Sequence, residues 1–316
     1  MSSILTNASA MTALQTLSVT NKNLATTQNR IATGLKISEA SDNAAYWSIA
    51  TTMRSDNGAN SVIQDALGLG SGKVDTAYAA LNKAIDSVNT IKNLVLSSKN
   101  ASVDDRKKNQ EAINAAISAL KENAGASYAG SNLLSTDSTN DAVPATANFS
   151  VVASYNRNAT TGAVTTGSID VALKNTRLID TLATGKTGIL DKEFAVTPAA
   201  TGATTTQTSI LTIDVSGATI DNKALDDILT GVEAAVKGLA SGASQLGAAK
   251  SRIDTQKSFI SALSDAVDRG IGSLVDADMN KESARLSALQ VQQQLGVQAL
   301  SIANASNQSI QQLFRG

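Results

Sequence analysis

Apolar residues return at every seventh position from 225 to 274: Leu225, Val232, Leu239, Leu246, Ile253, Ile260, Val267 and Leu274. Three residues further on, Ile228, Ala235, Gly242, Ala249, Gln256, Leu263 and Gly270 form a companion line that is mostly small or apolar. This is a heptad with apolar a and d positions. No proline interrupts it, and a helix of that length extends on the order of 70 Å. Its period calls for left-handed winding around partner helices. The small residues let partners come close, and Gln256 is the polar position expected to fix register.

Other segments supply partners of the same pattern. Residues 3–35 place Asn7, Ala10, Leu14, Leu17, Asn21, Leu24, Gln28, Ile31 and Leu35 on one stripe, with Gly34 as the expected C-cap. The segment is rich in Thr, Asn and Gln and thinly charged, which predicts a helix ordered only when its seam is covered. After a connector at 36–41, Ser41 or Asp42 is the expected N-cap of a long helix. From Ile49 its stripe reads Met53, Asp56, Asn60, Ile63, Leu67, Gly70, Val74, Ala77, Leu81, Ala84, Val88, Ile91 and Val95, with Gly68, Gly70 and Gly72 read as soft points. Ser102 and Asp105 form a capping box for a shorter helix with Ile113, Ala116, Ile117 and Leu120 on one face, ending near Gly125. The register breaks near 276–282. A final heptad follows: Leu286, Leu289, Gln293, Gly296, Leu300, Ala303, Asn307, Ile310 and Phe314.

Residues 136–220 differ. They are rich in Thr, Ala, Gly and Asp and hold both prolines, Pro144 and Pro198. Apolar alternation predicts short strands at 149–155, 169–173 and 210–215. The expected architecture is mainly α: long coiled-coil helical rods from both chain ends, with a small β-containing central insertion. Its parts are an N-terminal coiled-coil segment and connector (1–41), the N-terminal half of a helical rod domain (42–135), a variable surface-exposed insertion (136–220), the C-terminal half of the rod domain (221–278) and a C-terminal coiled-coil segment (279–316). The rod core is expected at Val74, Leu81, Val88, Leu239, Leu246, Ile253 and Ile260. The terminal seam is expected at Leu14, Leu17, Leu24, Ile31, Leu286, Leu289, Leu300, Ala303, Ile310 and Phe314. The insertion, projecting from the far end with a thin core of its own, is expected to be dispensable to the paired rods.

Composition narrows the chemistry. The chain has 17% charged residues that nearly cancel to −1, which argues against nucleic acid and anionic membrane as partners. Only 3% of residues are aromatic, and there is no Cys and no His. Disulfides, thiol nucleophiles, imidazole bases and the commonest zinc ligands are excluded together, so no enzyme activity, metal or cofactor is expected. No apolar run approaches the roughly 18 residues of a membrane span, and no signal-peptide pattern follows Met1, the first basic residue being Lys22.

Few motifs carry chemistry. Gly185-Lys186-Thr187 ends like a phosphate-binding loop, but Asp180 stands where the loop needs its first glycine. Asp276, Asp278 and Glu282 read as a solvated turn, with Glu282 near Arg285 in an exposed pair. Trp47, the only Trp, reads as an interface residue at the base of the rod.

The two ends carry a further pattern. Residues 28–38, Gln-Asn-Arg-Ile-Ala-Thr-Gly-Leu-Lys-Ile-Ser, followed by Ala40-Ser41-Asp42-Asn43-Ala44-Ala45, resemble the N-terminal signature of bacterial flagellins. Residues 276–283, Asp-Ala-Asp-Met-Asn-Lys-Glu-Ser, and the run from Gln292 to Leu313-Phe314-Arg315 resemble the C-terminal signature. Tyr128-Ala129-Gly130-Ser131-Asn132-Leu133-Leu134 is similar to the segment that closes the N-terminal rod, with Tyr-Ala-Gly where the family usually has Phe-Asn-Gly. The family's Asp-Asp-Ala-Ala-Gly becomes Asp42-Asn43-Ala44-Ala45-Tyr46. The wording resembles flagellins of plant-associated alphaproteobacteria.

The resemblance implies a filament subunit of the bacterial flagellum, with a hook–filament junction protein as the alternative. It implies terminal segments that form an inner coiled-coil tube, with Arg30, Asp42, Asn43 and Arg315 as polar signature positions. It also implies secretion through the flagellar type III apparatus to the extracellular flagellum. The implied partners are further copies of the chain, sister flagellins, an export chaperone, and cap and hook-junction proteins. Flagellins sensed by the flagellin-specific Toll-like receptor resemble one another around Gln-Arg-x-Arg-Glu-Leu, and the matching stretch here is Asn89-Thr90-Ile91-Lys92-Asn93-Leu94.

Overall fold

The structure, a computed structural model, describes residues 7–142, 147–158, 160–182, 184–199 and 204–313, without the side chains of 140, 142 and 307–313. Its long helices are α1 (Ala8–Thr33), α2 (Ala44–Ser97), α3 (Val103–Ala124), α4 (Asn222–Val275) and α5 (Met279–Leu313). Its short strands are β1 (Ser135–Thr136), β2 (Asn148–Arg157), β3 (Val164–Ala172), β4 (Ile179–Asp180), β5 (Phe194–Val196) and β6 (Thr206–Thr208). The chain divides into two compact units, Met1–Gly58 with Leu263–Gly316, and Ala59–Ala262.

In the unit Ala59–Ala262, α2 and α4 run antiparallel. Three ion pairs mark the register: Asp75 with Lys250, Lys92 with Glu233, and Lys99 with Asp226 at 2.7 Å. Such partly exposed pairs stabilise little, about 0–1 kcal/mol each, so the apolar seam carries the packing. Val74, Leu81, Val88, Leu239, Leu246 and Ile253 are fully buried, and Ile260 nearly so. Helix α3 begins as expected, Ser102 Oγ accepting from the Asp105 amide at 3.2 Å, and buries Ile113, Ile117, Leu120 and Ala124.

The central segment departs from expectation in three ways. Residues 210–215 are not a strand: Ile210–Thr212 form a 3₁₀ turn, closed by reciprocal side-chain bonds between Ser209 and Thr212. The apolar spacing was real, because Ile210, Ile213 and Val215 are all buried, but the local capping bonds curl the backbone. Gln110 of α3 then ties this stretch down, donating to the Ile213 carbonyl at 2.9 Å and accepting from the Val215 amide at 2.8 Å. Second, β5 and β6 pair antiparallel, three residues each, too short for alternation to be read. Third, the segment has no separate thin core. Val151, Ile169, Leu178, Leu190, Val196, Ile210, Ile213 and Val215 join the same buried cluster as α2, α3 and α4.

The helix glycines explain how. A Cβ on Gly70 would lie 2.6 Å from Val151 of the β2–β3 hairpin, one on Gly72 2.9 Å from Tyr128, and one on Gly231 2.6 Å from the Phe194 ring. These are sites of close approach, not soft points, and α2 and α4 are unbroken through them. Gln256 likewise holds the hairpin, donating to the Ala153 carbonyl at 2.7 Å.

A polar knot closes the segment. Arg177, 1% exposed, bonds Asp141 at 2.6 Å and the hydroxyls of Thr136 and Thr187 at 2.9 Å. Asp180 is buried, which alone would raise its carboxyl, but donors from Ser138, Leu182 and Thr187 outweigh burial and hold it well below the usual carboxylate range. Asp191 accepts from the Asp180 amide at 2.7 Å, yet burial pushes its carboxyl up and its Oδ1 has no partner among the described residues.

Candidate assembly surface

In the unit Met1–Gly58 with Leu263–Gly316, two chain ends are tied at a joint. Leu35 and Asp276 form an antiparallel bridge, the Lys36 amide donates to the Val275 carbonyl at 2.7 Å, and the Ala277 amide donates to Gly34 at 2.9 Å. Ile37, Ala50, Ile271 and Val275 make a small core beneath it. The α4 heptad shifts here. Ile271 and Val275 are buried while Val267 and Leu274 are half-buried and Leu263 is exposed, because α4 now packs on the joint. Gly34 caps α1 in the left-handed region, as expected. The cap of α2 is Asn43, accepting from the Ala45 and Tyr46 amides at 3.2 Å, and neither Ser41 nor Asp42. The Asp42 carboxylate is already engaged by the Ser38 and Glu39 amides, which hold it below its ordinary value. Trp47 is partly exposed on the first turns of α2.

From the joint, α1 and α5 pair antiparallel. Asn7 caps α1 and donates to the Ala303 carbonyl at 3.0 Å, Asn21 accepts from Gln293 at 2.7 Å, and Arg30 meets Glu282 at 3.3 Å. The α5 stripe is the expected one: Leu289 is buried, and Leu286, Gln293, Gly296, Leu300 and Ala303 are half-buried. Leu17 packs where a Gly296 Cβ would come within 3.1 Å.

On α1 the expected stripe is half right. Leu17, Leu24 and Ile31 face inward, but their companions are Ala13, Thr20 and Thr27, with both threonines buried. Leu14, placed in the seam from the heptad, is 59% exposed, and Asn21 and Gln28 are exposed too. The helix is thus rolled by a fraction of a turn from the expected stripe, with small residues turned toward α5. Glu282 also differs from expectation: its side chain is 9% exposed and pairs with Arg30, not in an open pair with Arg285. Ile310 lies in α5 but its side chain, like Phe314 and Arg315 altogether, falls outside the described residues.

A second apolar stripe lies outside the pair, and the roll adds Leu14 to it. On α1 it holds Met11 and Leu14, and on α5 Val291, Leu295 and Ile302, the last 69% exposed. Each such side chain is worth about 1.5–3 kcal/mol if fully buried. Nothing in the described part of the chain covers them, so further copies are the natural cover for two helices already adapted to helical partners. The signal was in the sequence as Ala284, Ala288, Val291, Leu295 and Ile302, a second heptad line beside the first.

Long amphipathic helices, paired at the chain ends and still apolar on an outer face, define a structural protein built for helical self-association. The family model for the bacterial flagellin N-terminal helical region matches residues 4–139, and that for the C-terminal helical region matches 229–314. The chain is 52% identical to a flagellin of Brucella melitensis and 44% identical to Flagellin C of Rhizobium meliloti, in both cases over the whole of each chain. Flagellin A of Rhizobium meliloti is 39% identical, again over both chains entire. The chain belongs to the bacterial flagellin family. It is a structural subunit, not an enzyme, that polymerises into the flagellar filament for swimming motility.

Proposed function

We propose that the two stripes of the α1–α5 pair have separate tasks. The inner one, Leu17, Leu24, Ile31, Leu286, Leu289, Leu300 and Ala303, holds the chain ends together. The outer one, Met11, Leu14, Val291, Leu295 and Ile302, is covered by neighbouring copies. The single observation behind this reading is the exposure of Leu14 beside an inward-facing Leu17. In this reading residues 1–41 and 279–316 form the innermost layer, 42–135 and 221–278 the layer around it, and 136–220 the outward part. The stretch between the two family matches, 140–228, nearly coincides with that last part, which supports the division. Val74, Leu81, Val88, Leu239, Leu246, Ile253 and Ile260 then serve the subunit's own core, and Asp42 and Asn43 the joint.

The finished subunit acts outside the cell, in the flagellum, after export through the flagellar type III route with a chaperone, and meets cap and hook-junction proteins at the filament's ends. Rhizobium meliloti has relatives named Flagellin A, B, C and D, which supports mixed filaments with sister subunits. Electron microscopy of seeded polymerisation tests the assignment. Leu14→Asp is expected to stop elongation while leaving the fold of residues 59–262 intact by circular dichroism. Normal filaments from that variant would remove Leu14 from the interface, and short rings in place of filaments would favour a junction protein.

A further inference from the structure

Helix α1 has two stripes it could turn toward α5. Leu17, Leu24 and Ile31 belong to both. The first stripe adds Leu14, Asn21 and Gln28, and the second adds Ala13, Thr20 and Thr27. They differ by one residue step, about 100° around the helix for the differing positions. Apolar content alone does not favour the second, since Leu14 is larger than Ala13 and two of its members are threonines. Yet Thr20 and Thr27 are buried and Ala13 half-buried, while Leu14, Asn21 and Gln28 are exposed. The joint at Leu35 and Asp276 sets where the pair begins, but not the roll of a 26-residue helix leading away from it.

Arg30 stands three residues beyond Thr27, on the threonine flank and away from Leu14. Its Nη1 meets Glu282 Oε1 at 3.3 Å, and the Glu282 side chain is 9% exposed. Among the described residues the contact is made at one point only: Arg30 Nε and Glu282 Oε2 are buried with no partner there. The helix dipole favours an acid in the first turn of α5, but that explains neither its burial nor its direction. Asp278 already caps this end, accepting from the Asn280 and Lys281 amides at 3.0 and 3.2 Å. Arg30 keeps 26% of its side chain exposed; a half-buried, incompletely satisfied pair is a poor stabiliser, and the best-attested use of such pairs is to select one packing over another.

We infer that the Arg30–Glu282 pair sets the roll of α1 on α5, turning the threonine flank inward and so keeping Leu14 outward for the next subunit. The second half rests on the assembly reading above, while the first half does not. Arg30 and Glu282 are therefore positioning residues for polymerisation. If α1 rolled the other way, Leu14 would be spent inside the hairpin and Glu282 would be left buried without its cation.

The chain has no cysteine of its own, so introduced pairs report the roll without background. The register of Asn21 with Gln293 and Arg30 with Glu282 puts Thr27 and Gln28 level with Leu286. Disulfides tolerate only a narrow Cα separation, which separates neighbouring positions. Subunits carrying Thr27→Cys with Leu286→Cys, or Gln28→Cys with Leu286→Cys, would be added to native seeds and oxidised, and intrachain closure read on denaturing gels. The first pair is expected to close in preference to the second by at least about tenfold, with Glu282→Gln bringing the ratio toward parity and the swap Arg30→Glu with Glu282→Arg restoring it. Where the neutral variant does not add to seeds, Glu282→Asp, which keeps the charge at shorter reach, is expected to add with a lowered ratio. A ratio unmoved by either substitution, or moved and not restored by the swap, overturns the inference. If the ratio behaves as expected while Leu14→Asp elongates normally, the roll stands and the assembly reading falls.

Discussion

Gly70 of α2 and Val151 of the β2–β3 hairpin lie so close that a Cβ on the glycine would sit 2.6 Å from a valine methyl. Gly68, two residues earlier, faces open space. The two glycines therefore answer opposite questions. Gly70→Ala is expected to destabilise the unit Ala59–Ala262 by about 1–3 kcal/mol through overpacking. Gly68→Ala is expected to stabilise it by about 0.4–1 kcal/mol by restricting the unfolded chain. Urea unfolding followed by circular dichroism measures both, and equal effects would mean the hairpin does not seat on α2 at Gly70.

The tight turn after α3 carries a correctable flaw. Tyr128 and Ser131 exchange backbone hydrogen bonds around Ala129 and Gly130, both at positive φ, 48° and 72°. That turn favours Asn-Gly, and an alanine there costs roughly 1–2 kcal/mol. Ala129→Asn is expected to raise the thermal midpoint with no change in assembly.

Removal of the central segment is no longer expected to be harmless. Leu178, Leu190, Ile210, Ile213 and Val215 are buried in the common core, each worth about 1.5–3 kcal/mol. Deleting 140–215 is expected to leave the unit Ala59–Ala262 partly unfolded and prone to proteolysis. Trimming only the hairpin tip, residues 156–166, whose described residues are exposed, is expected to be tolerated. Limited proteolysis of the two deletions side by side distinguishes them.

Asp180 and Asp191 give opposite pH signatures. Asp180 has a lowered carboxyl value in the fold, so its stabilisation is present above the unfolded value of about 3.9 and lost as pH falls through the folded one. Asp191 has a raised value, so its contribution is full below the unfolded value and lost as pH rises through the folded one. Asp191→Asn keeps an acceptor for the Asp180 amide and removes that loss. Thermal unfolding across a pH series should show the variant gaining stability relative to the parent as pH rises above about 4. A parallel pair of curves would deny that Asp191 titrates abnormally.

In the stretch Asn89–Leu94, Ile91 is buried and Asn89, Thr90 and Asn93 are exposed. Lys92, standing where the receptor-sensed flagellins carry their second Arg, is taken up by Glu233. Neither Thr90 nor Lys92 offers the planar multidentate fork of arginine. Monomeric protein is expected to activate the flagellin-specific Toll-like receptor weakly or not at all in a reporter-cell titration. A response equal to that of a flagellin with the full pattern would refute this.

The sequence by itself determined the helices and most of their inward faces. From Ile63 to Val95 and from Leu225 to Ile260 nearly every heptad position foreseen as core is buried, because over many turns a heptad has one face to hide and periodicity names it. The α5 stripe, the Ser102 cap and the Gly34 cap were legible for the same local reasons. Tertiary structure decided what depended on distant partners. Leu14 and Ala13 compete for one seam, and only α5, with Glu282 waiting for Arg30, chooses between them. Gly70 and Gly72 of α2 read as soft points until Val151 and Tyr128 are seen to occupy the space a side chain would take. Ile210–Val215 alternates like a strand, yet Ser209 and Thr212 bend it onto Gln110 of α3. Periodicity says that a residue will be buried, and the neighbour that buries it, set by contacts a hundred residues away, says how.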